Sequence, residues 1–497
     1  YNLIGRMDLV NLVCGRARAT RGGEDETLKL LFPDDIRVSE AQRMVASDSP
    51  VEFTLTQRQG ATEEESRDET QRHLCALNVR TMAMPLGRGA ISLRTYSPVI
   101  GESFEVPRLE LSGKSITEDR PIEYNHDHSV FPWPFFHNGV AAGLTICEST
   151  ASNIIDSTWI NYNRPRSNIP YGDVRDRDLT TANINNEHAG FLFALGLNGH
   201  LEKLSLMALH DYLCQNNDLT KLAILLGMSA AKRGSRDTNI IKVLSIHVDA
   251  LLPPNSTELD VSAQVHAASI IGVGLLYQGS ADSHISRVLL DEIGRLPGPE
   301  ANSHVDRESY SLSAGLAFGL VNLCKGGSTT IESSDQLRLY MLGGKRKQLA
   351  VSQRQRYFKQ DCHRGEEEYI NTHITSPGGT LGLGLMYHRS ENISVANWMK
   401  APDTQTLLEY VRPDFLILRM LSFGLIMWNK IEPSESYVDS HIPKIVSTHA
   451  FQRNSSPVQL SQSTSNQGID HELISQAYCN IVAGCCMTIA MRYAGTA

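Results

Sequence analysis

The strongest constraint on this chain is a short pattern that returns eight times: a small residue, three mostly apolar residues, then a second small residue. The copies are Gly139/Gly143, Gly190/Ala194, Ala223/Gly227, Ala268/Gly272, Gly315/Gly319, Thr380/Gly384, a degenerate Met420/Gly424 and Gly484/Thr488. Residues four apart share one helix face. Each pair therefore predicts a helix with a flat notch, into which a neighbouring helix backbone can press. The second members lie as few as 33 residues apart (Ala194 to Gly227) and as many as 65 (Gly319 to Gly384). Recurrence on that scale predicts stacked helix pairs, each relying on its neighbours to bury its apolar face. Seven residues past several of the second members comes a glycine, at Gly234, Gly279, Gly326 and Gly495. Glycine tolerates the left-handed conformation that commonly ends a helix.

A chain of 497 residues exceeds a usual single core, so several domains or one elongated array is expected. The composition, 41% hydrophobic and 20% charged, is that of an ordinary globular protein. A net charge of −9 gives no basic face for nucleic acid. No apolar run is read as reaching the roughly 20 residues that a membrane span needs, and the Ala/Gly-rich stretches read as buried core helices. The nine cysteines are odd in number and scattered, several inside apolar helical runs. They read as reduced, buried thiols of an intracellular protein rather than a disulfide framework. An opening at Tyr1, without methionine or signal peptide, reads as a piece of a longer polypeptide.

Residues 1–130 lack the repeat and read as a mixed α/β adaptor. Asp35 to Met44 suggests a capped helix, Ala61 to Arg72 an exposed loop or solvated helix, and the alternation of Ala90 to Tyr96 a strand. Residues 131–497 read as the helical array, with turn chemistry at Leu252-Pro-Pro-Asn255 and Leu296-Pro-Gly-Pro-Glu300. Two polar stretches, 327–376 and 452–470, read as loop insertions that leave the array. The first carries Gly343-Gly-Lys-Arg-Lys347 and Glu366-Glu-Glu368, and the second is dominated by Ser, Gln and Asn. Such insertions often carry partner contacts.

Longer segments carry a resemblance. They include Phe136-His-Asn-Gly-Val-Ala-Ala-Gly-Leu144, Glu187-His-Ala-Gly-Phe191, Leu195-Gly-Leu-Asn-Gly-His200 and His210-Asp-Tyr-Leu213. Leu251 to Asp260, Glu292-Ile-Gly-Arg-Leu-Pro-Gly-Pro-Glu300, Asp306 to Ser311, Ala401-Pro-Asp-Thr404 and Arg412-Pro-Asp-Phe415 extend it, and Met82 to Gly89 precedes it. Together they resemble the proteasome/cyclosome repeat family, and within it the branch of large anaphase-promoting-complex scaffolds. The resemblance implies a mainly α fold, an α-α superhelix closing into a toroid of two helix layers. It implies a non-catalytic scaffold in a cullin-RING-type ubiquitin ligase of mitotic exit, in nucleus and cytoplasm. The implied partners are the cullin, tetratricopeptide-repeat and substrate-receptor subunits and a coactivator, with no cofactor, nucleic acid or membrane.

Residues that could carry chemistry are few. No Cys-x-x-Cys occurs, so a zinc-bound RING has no ligands at the required spacing. Cys485-Cys486 reads as core packing, and Cys362 beside His363 lies in a polar insertion, with nothing to activate a thiolate. His126-Asp-His128 offers two imidazoles but no third ligand, and reads as a solvated loop. Gly272-Val-Gly274 lacks the third glycine of a dinucleotide fingerprint and falls within a repeat helix. Lys345-Arg-Lys347 reads as a solvated loop or a partner patch. Two alternatives stand beside the scaffold reading: a proteasome regulatory-particle scaffold that docks ubiquitin-like domains, and a metal hydrolase using His126 and His128. The candidate site residues are thus the helix-packing set: Gly139, Gly143, Gly190, Ala194, Ala223, Gly227, Ala268, Gly272, Gly315, Gly319, Gly384, Gly424 and Gly484.

Overall fold

A computed structural model of the chain describes residues 51–55, 62, 109–113, 122–123, 132–144, 146, 155–165, 174–215, 217–252, 262–296, 304–326, 331–346, 369–450 and 470–494. The fold is mainly α. It divides into two compact units, Tyr1–Ala231 and Lys232–Ala497. The first repeat helix begins at Pro132.

The first unit holds a small sheet. Strand β1 (Val51–Leu55) pairs parallel with β2 (Leu109–Gly113), which pairs antiparallel with β3 (Ile122–Glu123). The helix, loop and strand expected around 35–44, 61–72 and 90–96 lie outside the described residues, apart from Thr62. Helices α1 (Pro132–Leu144), α2 (Ser157–Tyr162), α3 (Val174–Leu197), α4 (Leu206–Leu213) and α5 (Asp218–Ala231) follow. Helix α3 packs against both α1 and α5. Phe136, Val140, Ala189, Ala194, Leu219 and Ala223 form one apolar cluster across them.

The second unit repeats a helix hairpin. It contains α6 (Thr238–Ile246), α7 (Ala263–Leu276), α8 (Ser283–Ile293), α9 (His304–Val321), α10 (Ile331–Leu342), α11 (Thr372–Met386), α12 (Ile393–Met399) and α13 (Gln405–Glu409). Helices α14 (Phe415–Ile426), α15 (Glu435–Ser440), α16 (Lys444–His449) and α17 (His471–Arg492) complete it. Helices α7, α9, α11, α14 and α17 stack in sequence order, while α6, α8 and α12 pack as a second layer on α7, α9 and α14. The outer helices begin at side-chain caps. Asp237 accepts from the amides of Asn239 (2.8 Å) and Ile240 (3.2 Å), and Asp282 from those of His284 and Ile285. Asn392, part of a sequon in the sequence, caps α12 by accepting from Val395 at 3.2 Å. Each cap satisfies helix N–H groups that have no partner within the helix.

Two sequence expectations are corrected here. The stretch 327–376 is not a loop throughout. Ile331–Leu342 is helix α10, and Leu337, Tyr340 and Met341 are buried on its inner face. Its first half is polar after Ile331 and its apolar residues crowd into the second half, where Leu337, Tyr340 and Met341 fall at helical spacing and meet α11. The Thr375 hydroxyl donates to the Tyr340 carbonyl at 2.7 Å, and the Ser334 and Tyr387 hydroxyls bond at 2.9 Å. Residues 452–469 lie outside the described residues. The second correction concerns α17. Leu473–Arg492, with mean hydropathy 1.5, is long and apolar enough to cross a membrane by length and composition. Ile474, Ala477, Ile481 and Cys485 on this helix pack with Leu416 and Met420 of α14 in one buried cluster.

Candidate functional site

The small residues lie where helix backbones meet. In the first unit, a Cβ added to Gly139 would strike the Glu187 carbonyl, and one added to Gly190 would strike the Phe136 carbonyl. At Gly143 it would come within 2.6 Å of the Ala194 Cβ. Gly227 lies against the backbone of Gly196 and the Leu201 side chain, and Ala223 is fully buried. In the second unit Gly315 faces the Gly378 backbone, and at Gly319 a Cβ would sit 2.7 Å from the Leu385 Cβ. Gly384 meets Ser422, Gly424 meets Thr488, and Gly484 meets Met420 and Ile417, each within 2.8 Å of a built Cβ. These pairs advance in the same direction along both partners, so α9 and α11 run parallel, as do α14 and α17.

In α7 the close approach is made at Gly274, where a Cβ would lie 2.5 Å from the Ala317 Cα. Gly272 and Ala268, the expected pair, are buried in the same helix. The sequence Gly272-Val-Gly274 places two glycines about 200° apart around the helix, so they face different neighbours. Gly274 stands two residues before the helix end at Leu276, as Gly319, Gly384 and Gly424 stand before Val321, Met386 and Ile426.

A second device joins successive repeats in the second unit, and it uses only the main chain. The Gly234 and Arg236 amides donate to the carbonyls of Leu275 (2.9 Å) and Leu276 (3.1 Å). Gly279 and Ala281 donate to Leu320 (2.9 Å) and Val321 (3.0 Å), and Cys324 and Gly326 to Leu385 (3.2 Å) and Met386 (2.9 Å). Arg389 and Glu391 donate to Leu425 (2.9 Å) and Ile426 (3.1 Å). The acceptors are in each case the last two residues of α7, α9, α11 and α14. Their carbonyls have no partner within the helix, and the clasp satisfies them. Aiming both amides at one helix end requires left-handed backbone, with φ of +70° at Gly234, +67° at Gly279, +60° at Cys324 and +59° at Arg389. Arg236, Ala281 and Glu391 also have positive φ, between 52° and 54°. A non-glycine residue there costs roughly 1–2 kcal/mol. Ala281→Gly should therefore stabilise the protein by about 0.5 kcal/mol once the extra freedom of unfolded glycine is deducted. Urea titration of both proteins checks the sign, which is opposite to that of Ala→Gly inside a helix.

Polar side chains are buried beside these seams. The Glu292 carboxylate, 2% exposed, accepts from the Tyr310 hydroxyl at 2.6 Å and lies 3.4 Å from Arg295 Nη1. Burial, then the Glu292 charge, hold the Tyr310 phenol well above its ordinary value. Arg346 donates to the Gly294 carbonyl at 2.6 Å. Lys345 forms an antiparallel bridge with Tyr369, and Ile370 donates to the Gly344 carbonyl at 3.0 Å. The first two residues of Lys345-Arg-Lys347 are thus structural, correcting the solvated-loop reading; Lys347 lies outside the described residues. Arg419, 5% exposed on α14, is held down to about 10 by burial.

In the first unit His188 Nε2 lies 3.2 Å from the Tyr212 hydroxyl, and Arg164 lies over the Tyr212 ring at 5.0 Å. Burial, then the Arg164 charge, lower His188 to about 4. His137, in the same unit, is lowered by burial as well. Unfolded histidine binds its proton near 6.5 while the buried ring stays neutral, so stability is full above about pH 6.5 and falls as pH drops towards 4. At pH 5 the His188 contribution should be a loss of about 2 kcal/mol. Urea midpoints at pH 7.5 and pH 5, with His188→Gln as the variant that flattens the difference, check this.

Among the described residues no group of three His, Cys, Asp or Glu side chains could hold a metal. His126, His128, Cys362 and His363 lie outside them. The five described cysteines are free thiols, and only Cys485 is buried; Cys214, Cys324, Cys479 and Cys486 are exposed, contrary to the buried-thiol reading. Cys485 is pushed up to about 12 by burial, then by Cys486, which leaves it an inert core thiol.

The family model described as APC1 fourth domain matches residues 27–233, and that described as APC1 fifth domain matches residues 238–497. The chain belongs to the anaphase-promoting complex subunit 1 family. It is 41% identical over 480 residues to the protein of that name in Mus musculus and 40% identical to that of Homo sapiens. Each match covers 95% of this chain and 24% of the relative. "Negative regulator of mitosis" of Emericella nidulans is 28% identical over 503 residues, covering 99% of the chain and 22% of that protein. The chain therefore spans about a quarter of the curated relatives that it matches. The two family domains meet between residues 233 and 238, next to the division between the compact units at 231 and 232.

Proposed function

We propose that this chain is a non-catalytic scaffold segment of an anaphase-promoting-complex subunit, working inside the cell in nucleus and cytoplasm. Its helix array organises neighbouring cullin, tetratricopeptide-repeat and substrate-receptor subunits and helps to receive the coactivator. Residues 1–130 serve as the adaptor into the array, and the segments 347–368 and 452–470 contribute partner contacts. The observation that carries this reading is the recurrent seam: backbones in contact at small residues, with main-chain clasps between successive repeats of the second unit. Such a seam fixes geometry and offers wide surfaces. The names of the relatives supply the complex.

The test is co-purification with the tagged full-length protein. A cullin and tetratricopeptide subunits are expected. An ATPase ring would support a proteasomal scaffold instead, and stoichiometric zinc would support hydrolase chemistry at His126 and His128. The purified chain alone should not discharge a ubiquitin-charged conjugating enzyme. Discharge that is abolished by Cys362→Ala would overturn the scaffold reading.

A further inference from the structure

Within the second unit, the seams onto α7, α9, α11 and α14 are each closed by a pair of main-chain bonds. The seam onto α17 keeps the small-residue contacts, with Gly424 against Thr488 and Gly484 against the Ile417 backbone, but not the clasp. By the same count, the donors would be Asn429 and Ile431, the third and fifth residues past the end of α14 at Ile426. Here the chain instead makes a 3₁₀ turn, Trp428–Lys430, and Ile431 takes φ −73°. A β-branched residue is poorly suited to the left-handed conformation that the clasp needs. Among the described residues, no main-chain bond joins this turn to α17. The Tyr493 hydroxyl donates to the Ile431 carbonyl at 2.9 Å, Arg492 lies over the Trp428 ring at 5.6 Å, and side chains pack between.

We infer that the α14–α17 seam is a hinge: α15, α16 and α17 form a module that opens as a unit, while α7 to α14 stay clasped as one body. Side-chain contacts can slide through alternative rotamers. A paired main-chain clasp cannot loosen without exposing two amides and the last carbonyl of the helix, while the carbonyl before it has a second bond. The outer face of α17 carries exposed Cys479, Cys486, Met487 and Met491, so movement of the module would also move an apolar surface.

Hydrogen exchange by mass spectrometry on the full-length protein tests this. The peptides containing Gly279, Ala281, Cys324, Gly326, Arg389 and Glu391 should exchange as slowly as the helices that they join. Amides of α17 should exchange at least about 10-fold faster. Tyr493→Phe, which removes the hydroxyl bond to the Ile431 carbonyl, should accelerate α17 roughly 5-fold further and leave the clasp peptides unchanged. Exchange of α17 as slow as that of α9, or a Tyr493→Phe effect spread equally over all seams or absent from α17, would overturn the hinge.

Discussion

Gly315→Val should unfold the second unit at temperatures where the wild type is intact. A methyl at this position falls inside the backbone of Gly378, and that backbone is itself held in helix α11 between α9 and α10. Overpacking a core commonly costs about 1–3 kcal/mol because side chains can shift. Here the obstacle is main chain, so a loss above about 3 kcal/mol is expected, a large share of a typical domain's stability. Gly382→Ala is the matched control. The nearest atom to its added methyl is the Leu337 Cδ2 at 3.2 Å, the movable end of a side chain, and its cost should stay below about 1 kcal/mol. Thermal melts of the two variants settle the matter; equal melting temperatures would mean that α9 and α11 can separate freely.

The second large effect concerns the stretch that looks like an insertion. Removing 331–342 should abolish cooperative unfolding of the second unit. It deletes Leu337, Tyr340 and Met341 and uncovers Gly379, whose added Cβ would lie 2.9 Å from the Leu337 carbonyl. Loss of a single large buried side chain typically costs about 2–5 kcal/mol, and three are lost here. Replacing 347–368 by a short Gly-Ser link should change the melting temperature little. Lys345 and Tyr369 already pair across its base, and loop length adds only a slowly growing entropy. A melting temperature that falls as far with the second deletion as with the first would show that 347–368 belongs to the core.

The helices were legible where small residues four apart mark a face that must approach a backbone, as at Gly139/Gly143 and Gly315/Gly319. Helix α10 was not, because its apolar residues crowd into Leu337–Leu342, behind a polar first half and between the polar residues that flank the helix. The clasp was half legible. Glycine alone aligns Gly326 with Gly234 and Gly279, whereas the hydrogen bonds align Cys324 with them. The fuller signal is a four-residue phrase, Gly234-Ser-Arg-Asp237, Gly279-Ser-Ala-Asp282 and Arg389-Ser-Glu-Asn392. In it the serine oxygen accepts from the amide of the capping residue at 3.3–3.4 Å, and the Asp or Asn starts the next helix. Arg389 and Cys324 escape a search for glycine, since the bonds can impose a positive φ on other residues at some cost. The pairing Glu292–Tyr310 and the anchoring of Arg346 join residues distant in sequence, so no local pattern announces them.

The clasp also accounts for the uneven spacing of the repeats. Its donors are counted from the end of one helix and its acceptors from the end of the next, so no bond measures the chain in between. From Leu276 to Val321 the interval is 45 residues, from Val321 to Met386 it is 65, and from Met386 to Ile426 it is 40, yet the same two bonds close each step. The array behaves like a ruler whose divisions stay fixed while the material hung between them varies in length. Evolution can lengthen or rewrite those hanging stretches without altering the pitch of the wall that carries them.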